Sequence, residues 1–287
     1  MRAESRFGLR IEPIDLDATL GCGQTFRWRR DPDGSWTGVV GRSILRLSTS
    51  SGGLTVDSVA ASPCTKKDIS TYLRTSDDIA SIQKNLGRDD VLSRGILQIG
   101  GLRLVKMDEW ECLISYVLAT YANIPRIKTM IDSVATAFGA EILDGVHAFP
   151  CVNDLREAST EDLSRCGLGY RARYVRAICE VLDPRDLDRM KRLGYADLRN
   201  ELKQLPGVGD KVADCVALFG FGRLEAFPID VWIKRALSRL YGVTGSYAKL
   251  SEFARLRFGG FAGYAQEYMF YNERSLATAG RCIFSEE

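Results

Sequence analysis

The sequence predicts an α+β fold, an N-terminal antiparallel β-sheet domain packed on a mainly α-helical body. Three observations carry that expectation. Period-2 alternation and turn residues crowd the first hundred positions. Apolar residues recur with helical spacing from Asp108 onward, and no internal repeat or low-complexity run interrupts either texture. We therefore expect a β-rich domain with flanking helices over residues 1–100 and a helical domain over 101–287, built around a hairpin at 203–220.

In the first domain Phe26-Arg27-Trp28 alternates, Asp33-Gly34 marks a turn, and Ser43 to Ser48 has strand character. Gly52-Gly53 joins that run to Leu54-Thr55-Val56 in the pattern of a hairpin. Residues 66–98 turn helical. Asp108 reads as an N-cap with Glu111 three residues on, and Trp110, Leu113, Ile114, Val117 and Leu118 form an apolar face behind it. Further helices are expected near 126–138, 152–158, 160–166, 171–182, 195–203, 211–219, 231–240 and 262–273.

Composition narrows the function classes. Hydrophobic content of 45% and charged content of 26% are ordinary for a soluble globular protein. A formal net charge of +2 confines any nucleic-acid surface to a local patch. No apolar run approaches a membrane span, and the opening MRAESRFGLR lacks a signal-peptide core. The expected setting is intracellular: cytoplasm or nucleoid, or the nucleus in a eukaryote. Eight cysteines scattered without C-x-x-C spacing fit reduced thiols in such a compartment. The single histidine, His147, excludes most histidine-based metal sites and is read as structural.

The densest stretch is Leu205 to Asp230, LPGVGDKVADCVALFGFGRLEAFPID. Pro206 cannot occupy a helix interior, and Gly207 and Gly209 allow positive φ, so it reads as helix, hairpin turn, helix. Bare N–H groups at the new helix N-terminus suit a phosphate oxygen. Lys211 stands on the first turn of that helix. A cation is electrostatically unwelcome there, which points to a job other than stability. Asp230, behind Phe227-Pro228-Ile229, reads as the N-cap of VWIKRALSRL. Taken singly, these pieces also fit a plain corner, a surface lysine and an ordinary cap. A second cluster, RCGLGYRARYVR from Arg165 to Arg176, holds four arginines, two tyrosines and no acids. It fits a solvated basic face, or a surface that neutralises a nucleic-acid backbone and offers a planar wedge.

The hairpin, the lysine just behind it and an aspartate 19 residues further on together resemble the helix-hairpin-helix (HhH-GPD) DNA glycosylases. GVGDKVADC with FPIDVW is similar to the 8-oxoguanine DNA glycosylases in particular. GQTFRW at Gly23 to Trp28, NIPR at Asn123 to Arg126, GLGYRARY and FAGYAQEYMF stand in family order, so the resemblance runs from about Ile14 to Phe270. The chain stops soon after that last motif without a basic tail. That leads us to expect a compact, monomeric enzyme of prokaryotic type, with an archaeal source among the readings.

The resemblance implies a base-excision repair enzyme, a bifunctional glycosylase and AP lyase, whose partner is double-stranded DNA containing 8-oxoguanine. Lys211 would attack the sugar C1′ as a free amine, helped by burial and the positive end of its helix. Asp230 would stabilise positive charge developing on the sugar. Gly23 would offer its carbonyl to the hydrogen that oxidised guanine carries at N7 and normal guanine lacks. Cys215 and Phe270 would sandwich the flipped base while Gln266 reads its Watson–Crick edge. Tyr121, Asn123 and Arg126 would meet the opposite strand, Tyr170 would act as wedge with Arg171 beside it, and Gly207, Gly209 and Trp232 would contact phosphate. A structural cation held by the carbonyls of Lys203, Leu205 and Val208 is also implied. No cofactor is expected and, with only Cys282 near the C-terminus, no iron–sulfur cluster. Tyr121 and Ala122 stand where eukaryotic members carry asparagines, and Trp232 replaces a histidine, so opposite-base readout and phosphate clamping should differ. A glycosylase for another damaged purine and a non-catalytic damaged-DNA binding module are the other readings; the Gly23, Gln266 and Phe270 pocket argues against the first.

Overall fold

The computed structural model describes residues 3–60 and 64–279; Cys282 lies outside the described residues. Five strands, β1 (Ala3–Arg10), β2 (Trp28–Arg30), β3 (Trp36–Val40), β4 (Ser43–Ser50) and β5 (Gly53–Ala60), form an antiparallel sheet in the order β1-β5-β4-β3-β2. The expected hairpin is β4–β5, with Ser50 opposite Gly53. Gly53 has to be glycine. Its φ is +147°, and a Cβ there would fall 2.1 Å from the Leu9 carbonyl oxygen of β1. The strand expected at Phe26 begins at Trp28, because Phe26 turns away to meet Tyr116 edge-on at 5.6 Å.

Helix α1 (Leu16–Leu20) lies between β1 and β2, and α2 (Lys66–Tyr72), α3 (Ile79–Leu86) and α4 (Asp90–Gln98) follow the sheet. Tyr72 ties α2 to the strands: its hydroxyl accepts the Trp28 indole N–H at 2.7 Å and sits 3.0 Å from Thr25 Oγ1. The helical body comprises α5 (Glu109–Leu118), α6 (Ile124–Phe138), α7 (Val152–Arg156), α8 (Thr160–Leu163), α9 (Arg171–Val181), α10 (Pro184–Met190), α11 (Tyr195–Leu202), α12 (Asp210–Phe219), α13 (Val231–Tyr241), α14 (Tyr247–Phe258) and α15 (Ala262–Ala279). A short ribbon, β6 (Glu141–Leu143) and β7 (Val146–His147), joins α6 to α7. Strands β1, β3, β6 and β7 and helices α1, α10 and α14 add to the expected elements. Helix α10 carried a clear start signal, Asp183 as N-cap with Pro184 after it.

The α+β expectation holds, with α5 at its centre. All ten α5 residues are buried, Glu109 and Glu111 included, so an apolar face on one side was too narrow a reading. The helix packs against α6, α9 and α12, and Tyr116 meets Phe26 from the GQTFRW segment. Gln24 closes that junction. Its amide donates to the Thr19 and Arg103 carbonyls at 2.7 and 2.8 Å and accepts the Val105 N–H at 2.9 Å. Its own carbonyl takes the Tyr116 hydroxyl at 3.0 Å. Every polar atom of a buried amide is thereby used, as burial demands.

Glu111 shows the cost of that central position. Burial pushes its carboxyl up to about 7, with the Arg27 guanidinium working against the rise. A group with a raised folded pKa contributes stability below its unfolded value and loses it as pH rises through the folded one. Glu111→Gln is therefore expected to raise the melting temperature at pH 8 and to change it little at pH 5, which thermal melts at the two pH values test.

Candidate active site

A cleft of about 820 Å³ is lined by the α12–α13 corner, α15, the Gly23 turn, the end of α5 and the start of α6. Lys211, Cys215, Asp230, Gln266, Phe270 and Gly23 all line it. So do Tyr121, Asn123, Gly207, Gly209 and Trp232. Residues scattered along the sequence from Gly23 to Phe270 thus share one concave surface.

The hairpin explains how Lys211 arrives there. After α11 the chain turns through Leu205 to Gly209, with the Val208 N–H donating to the Leu205 carbonyl at 3.1 Å. Gly207 uses its freedom at φ +77°, where a Cβ would strike the Tyr174 ring at 2.6 Å. Gly209 does not: its φ is −93° and nothing lies within 4 Å of a Cβ position. Its value is an open approach. As N-cap of α12 it supplies no side-chain bond, so first-turn N–H groups are left for an incoming oxygen.

Helix α12 is oriented from behind. Asp214, fully buried, accepts from the Tyr195 hydroxyl at 2.7 Å and Arg199 Nε at 2.9 Å, and Tyr247 bonds its other oxygen. Burial pushes this carboxyl up, and those hydroxyls and the guanidinium resist. Asp210 pairs with Lys203 at 2.6 Å and Arg199 at 2.8 Å. With its far face rooted this way, α12 turns Lys211 and, one helical turn on, Cys215 into the cleft. Nothing in the linear sequence marks Asp214, because its partners come from α11 and α14.

Lys211 Nζ sits 5.0 Å above the Tyr116 ring centroid, and Tyr116 in turn stacks on Phe219 at 5.6 Å. Burial pushes the Cys215 thiol up to about 12, although Lys211, in hydrogen-bond contact, favours the thiolate. Asp230 caps α13 by accepting the Ile233 N–H at 2.9 Å. Burial raises its carboxyl, while that N–H and the Lys211 charge act to lower it. A cation source and a carboxylate thus face each other across a partly dry wall. In the same cleft, Gln266 is 5% exposed and its Oε1 has no hydrogen-bond partner among the described residues. A buried acceptor without a partner costs free energy that a ligand N–H would recover. Among the described residues, no group of three or more histidine, cysteine or acidic side chains could hold a metal ion.

Residues 114–258 match the HhH-GPD superfamily of base excision DNA repair proteins. The chain belongs to that superfamily. Residues 6–113 match the N-terminal domain of 8-oxoguanine DNA glycosylase, which places it within the 8-oxoguanine branch. It is 36% identical over 199 residues to a probable N-glycosylase/DNA lyase of Methanothermobacter thermautotrophicus, covering 61% of this chain and 64% of that one. The N-glycosylase/DNA lyase of Saccharomyces cerevisiae is 30% identical over 266 residues, 83% of this chain and 71% of the yeast protein. Among solved structures, the Clostridium acetobutylicum 8-oxoguanine glycosylase/lyase in complex with DNA containing cytosine opposite 8-oxoG superposes with a TM-score of 0.86. That match is 29% identical and covers 96% of this chain and 98% of that one.

In this HhH-GPD protein the remaining expected contacts lie outside the cleft wall. Arg126 is exposed and donates to the Gly167 carbonyl at 3.1 Å. Tyr170, 44% exposed, donates its hydroxyl to the Thr120 carbonyl at 3.2 Å. Arg171 is only 4% exposed: Nε donates to the same Thr120 carbonyl at 3.0 Å, and the guanidinium carbon lies 4.6 Å from the Tyr170 ring centroid. Its guanidinium is committed to the Thr120 carbonyl, next to Tyr121, and to the Tyr170 ring. Tyr121 itself is fully exposed at φ +49°, a conformation costly for a non-glycine residue. The basic cluster is also less basic than its string. Arg165 pairs with Glu161 and Asp162, and Arg176 with Glu180. His147 lies on β7, with its Nδ1 2.9 Å from the Gly145 carbonyl, away from the cleft. Tyr116, Tyr247, Glu267 and Arg274 are among the cleft residues that the sequence reading did not single out. Arg274 carried a usable signal, the four-residue spacing Gln266, Phe270, Arg274 on one helix.

Proposed function

We propose that this chain is a bifunctional 8-oxoguanine DNA glycosylase and AP lyase acting on double-stranded DNA. The observation that carries the reading is the convergence of Lys211 and Asp230 with Gly23, Cys215, Gln266 and Phe270 on one cleft of base-pair size. Lys211 Nζ forms a bond to C1′ as the bond from C1′ to the base nitrogen breaks, and the electron pair leaves with the base. The lysine nitrogen gives up a proton to the departing base, the C1′–O4′ ring bond then opens with its electron pair and a proton going to O4′, and the ring-opened adduct is a Schiff base. Loss of a C2′ proton then expels the 3′ phosphate oxygen and cuts the strand by β-elimination. The Asp230 carboxylate stabilises positive charge on the sugar during the first step.

Recognition is divided among the remaining groups. The Gly23 carbonyl accepts from the lesion N7–H and repels the lone pair of normal guanine. Cys215 and Phe270 enclose the base, and Gln266 pairs with its edge. Tyr121, with Asn123 and Arg126, meets the opposite strand, and Tyr170 fills the stack. The N–H groups that follow Gly209 at the start of α12 take phosphate, reached past the turn at Gly207 and next to Trp232. A cation bridging phosphate to the Lys203, Leu205 and Val208 carbonyls suits this turn; the Leu205 oxygen accepts one N–H and keeps a second lone pair. No helix among the described residues is long and apolar enough to cross a membrane, and the enzyme works as a monomer inside the cell, on the genome.

Gly23→Ala tests the recognition half. The residue sits at φ +111°, and an added Cβ would fall 2.6 Å from Ile124 Cδ1. Strain and displacement of the carbonyl should slow lesion excision about 10- to 100-fold in single-turnover assays. The whole reading is tested by borohydride reduction on an 8-oxoguanine:cytosine duplex. A covalent protein–DNA adduct is expected. Base release with an intact abasic strand would make water the nucleophile, and binding without any product would favour a damage-binding module. Equal trapping on other damaged purines but not on 8-oxoguanine would move the substrate.

A further inference from the structure

The turn Gly21-Cys22-Gly23 belongs to no helix or strand, and the α15 helix holds it. Arg274 Nη1 donates to the Gly21 carbonyl at 3.0 Å and to the Cys22 carbonyl. Glu267, 1% exposed, lies beside the Cys22 thiol, which donates to the Thr19 carbonyl at 3.5 Å. Both residues line the cleft from the helix that carries Gln266 and Phe270. Gly23 follows these contacts directly, and a Cβ on it would lie 3.1 Å from Arg274 Nη1. Burial pushes the Glu267 carboxyl up to about 7, with the Cys22 contact and the Arg274 charge opposing the rise.

We infer that Arg274 and Glu267 are positioning residues for lesion recognition, clamping the Gly21–Gly23 turn to α15 at a fixed distance from Gln266. The inference rests on the proposed function, in which the Gly23 carbonyl and Gln266 read two edges of one base. Such a reader depends on geometry. A hydrogen bond has a window of about half an ångström, from roughly 2.7 to 3.2 Å, and a carbonyl that drifts beyond it no longer separates oxidised from normal guanine. Tying the turn that carries one reader to the helix that carries the other fixes their separation. The Arg274 guanidinium is suited to this because one nitrogen serves two carbonyls at once.

The clamp predicts a split between two activities of one protein. An abasic site presents no base to read, so its cleavage depends on Lys211 and phosphate contacts alone. Arg274→Ala should slow 8-oxoguanine excision about 10- to 100-fold and lower the preference for 8-oxoguanine over guanine, with abasic-site cleavage within about twofold of native. Glu267→Leu should follow the same pattern, and Arg274→Lys, which keeps a donor, should recover part of the loss. Thermal melts identify any variant that fails to fold. Equal losses on both substrates would overturn the clamp, since the residues would then serve the fold or the DNA backbone. Unchanged excision and preference would overturn it as well. A native protein inactive on both substrates would instead bring down the functional reading, and the clamp with it.

Discussion

Lys211→Gln is expected to abolish the borohydride-trapped adduct and to reduce strand cleavage at 8-oxoguanine by at least about 10³-fold, because no amine remains to form the imine. Glutamine keeps much of the length and a polar end, so the cleft retains its shape. Gly23, Cys215, Gln266 and Phe270 are untouched, and binding to lesion duplex should stay within about tenfold of native. Stability should not fall. Lys211 lies on the first turn of α12, where removing a cation relieves an unfavourable helix-dipole interaction of about 0.3–1 kcal/mol. The variant loses the Tyr116 ring contact in exchange, which is of similar size. Trapping, single-turnover cleavage and a binding titration on one duplex, together with a thermal melt, check the four statements. Adduct formation that survives the substitution would mean that another amine, or the chain N-terminus, is the nucleophile.

The parts of this molecule that could be read from sequence are those determined by neighbours in the chain. The β4–β5 hairpin followed from Gly52-Gly53, and the helix starts at Asp108 and Asp230 followed from capping chemistry. Gly207 was legible as a turn glycine, and its positive φ is observed. What remained hidden depends on distant partners. Gly209 has the same turn context but an ordinary φ, since its requirement is open space. The string from Arg165 to Arg176 contains no acid, yet Glu161, Asp162 and Glu180, just outside it, neutralise two of its arginines. Arg171 looks solvated in sequence and is buried on the Thr120 carbonyl. Asp214 resembles any helical aspartate, although its bonds to Tyr195, Arg199 and Tyr247 aim the whole of α12. Motif residues were visible one at a time; the framework that aims them was not.

Asp230→Asn separates charge from geometry at the second catalytic position. Asparagine retains an oxygen for the Ile233 N–H, so the α13 cap survives and the backbone stays in place. What disappears is the negative charge facing Lys211 and the sugar. Base excision should fall about 10²- to 10³-fold, the size of effect seen when one preorganised electrostatic group is removed. Cleavage of a preformed abasic site, which has no glycosidic bond left to break, should suffer less. The pH profile gives an independent check. Burial raises the Asp230 carboxyl above its ordinary 3.8, and it serves the reaction only when ionised. Native excision should therefore fade on the acid side at a pH above that ordinary value, and the Asn variant should lack this limb. Stability runs the other way. A raised folded pKa means that the carboxyl contributes stability at low pH and loses it as pH rises through the folded value, so at neutral pH the ionised form is a burden on the fold. The variant should melt no lower than native at pH 7, and relatively lower at pH 4. A melting temperature that drops at pH 7 along with the rate would assign Asp230 to the fold and leave the sugar cation without its partner.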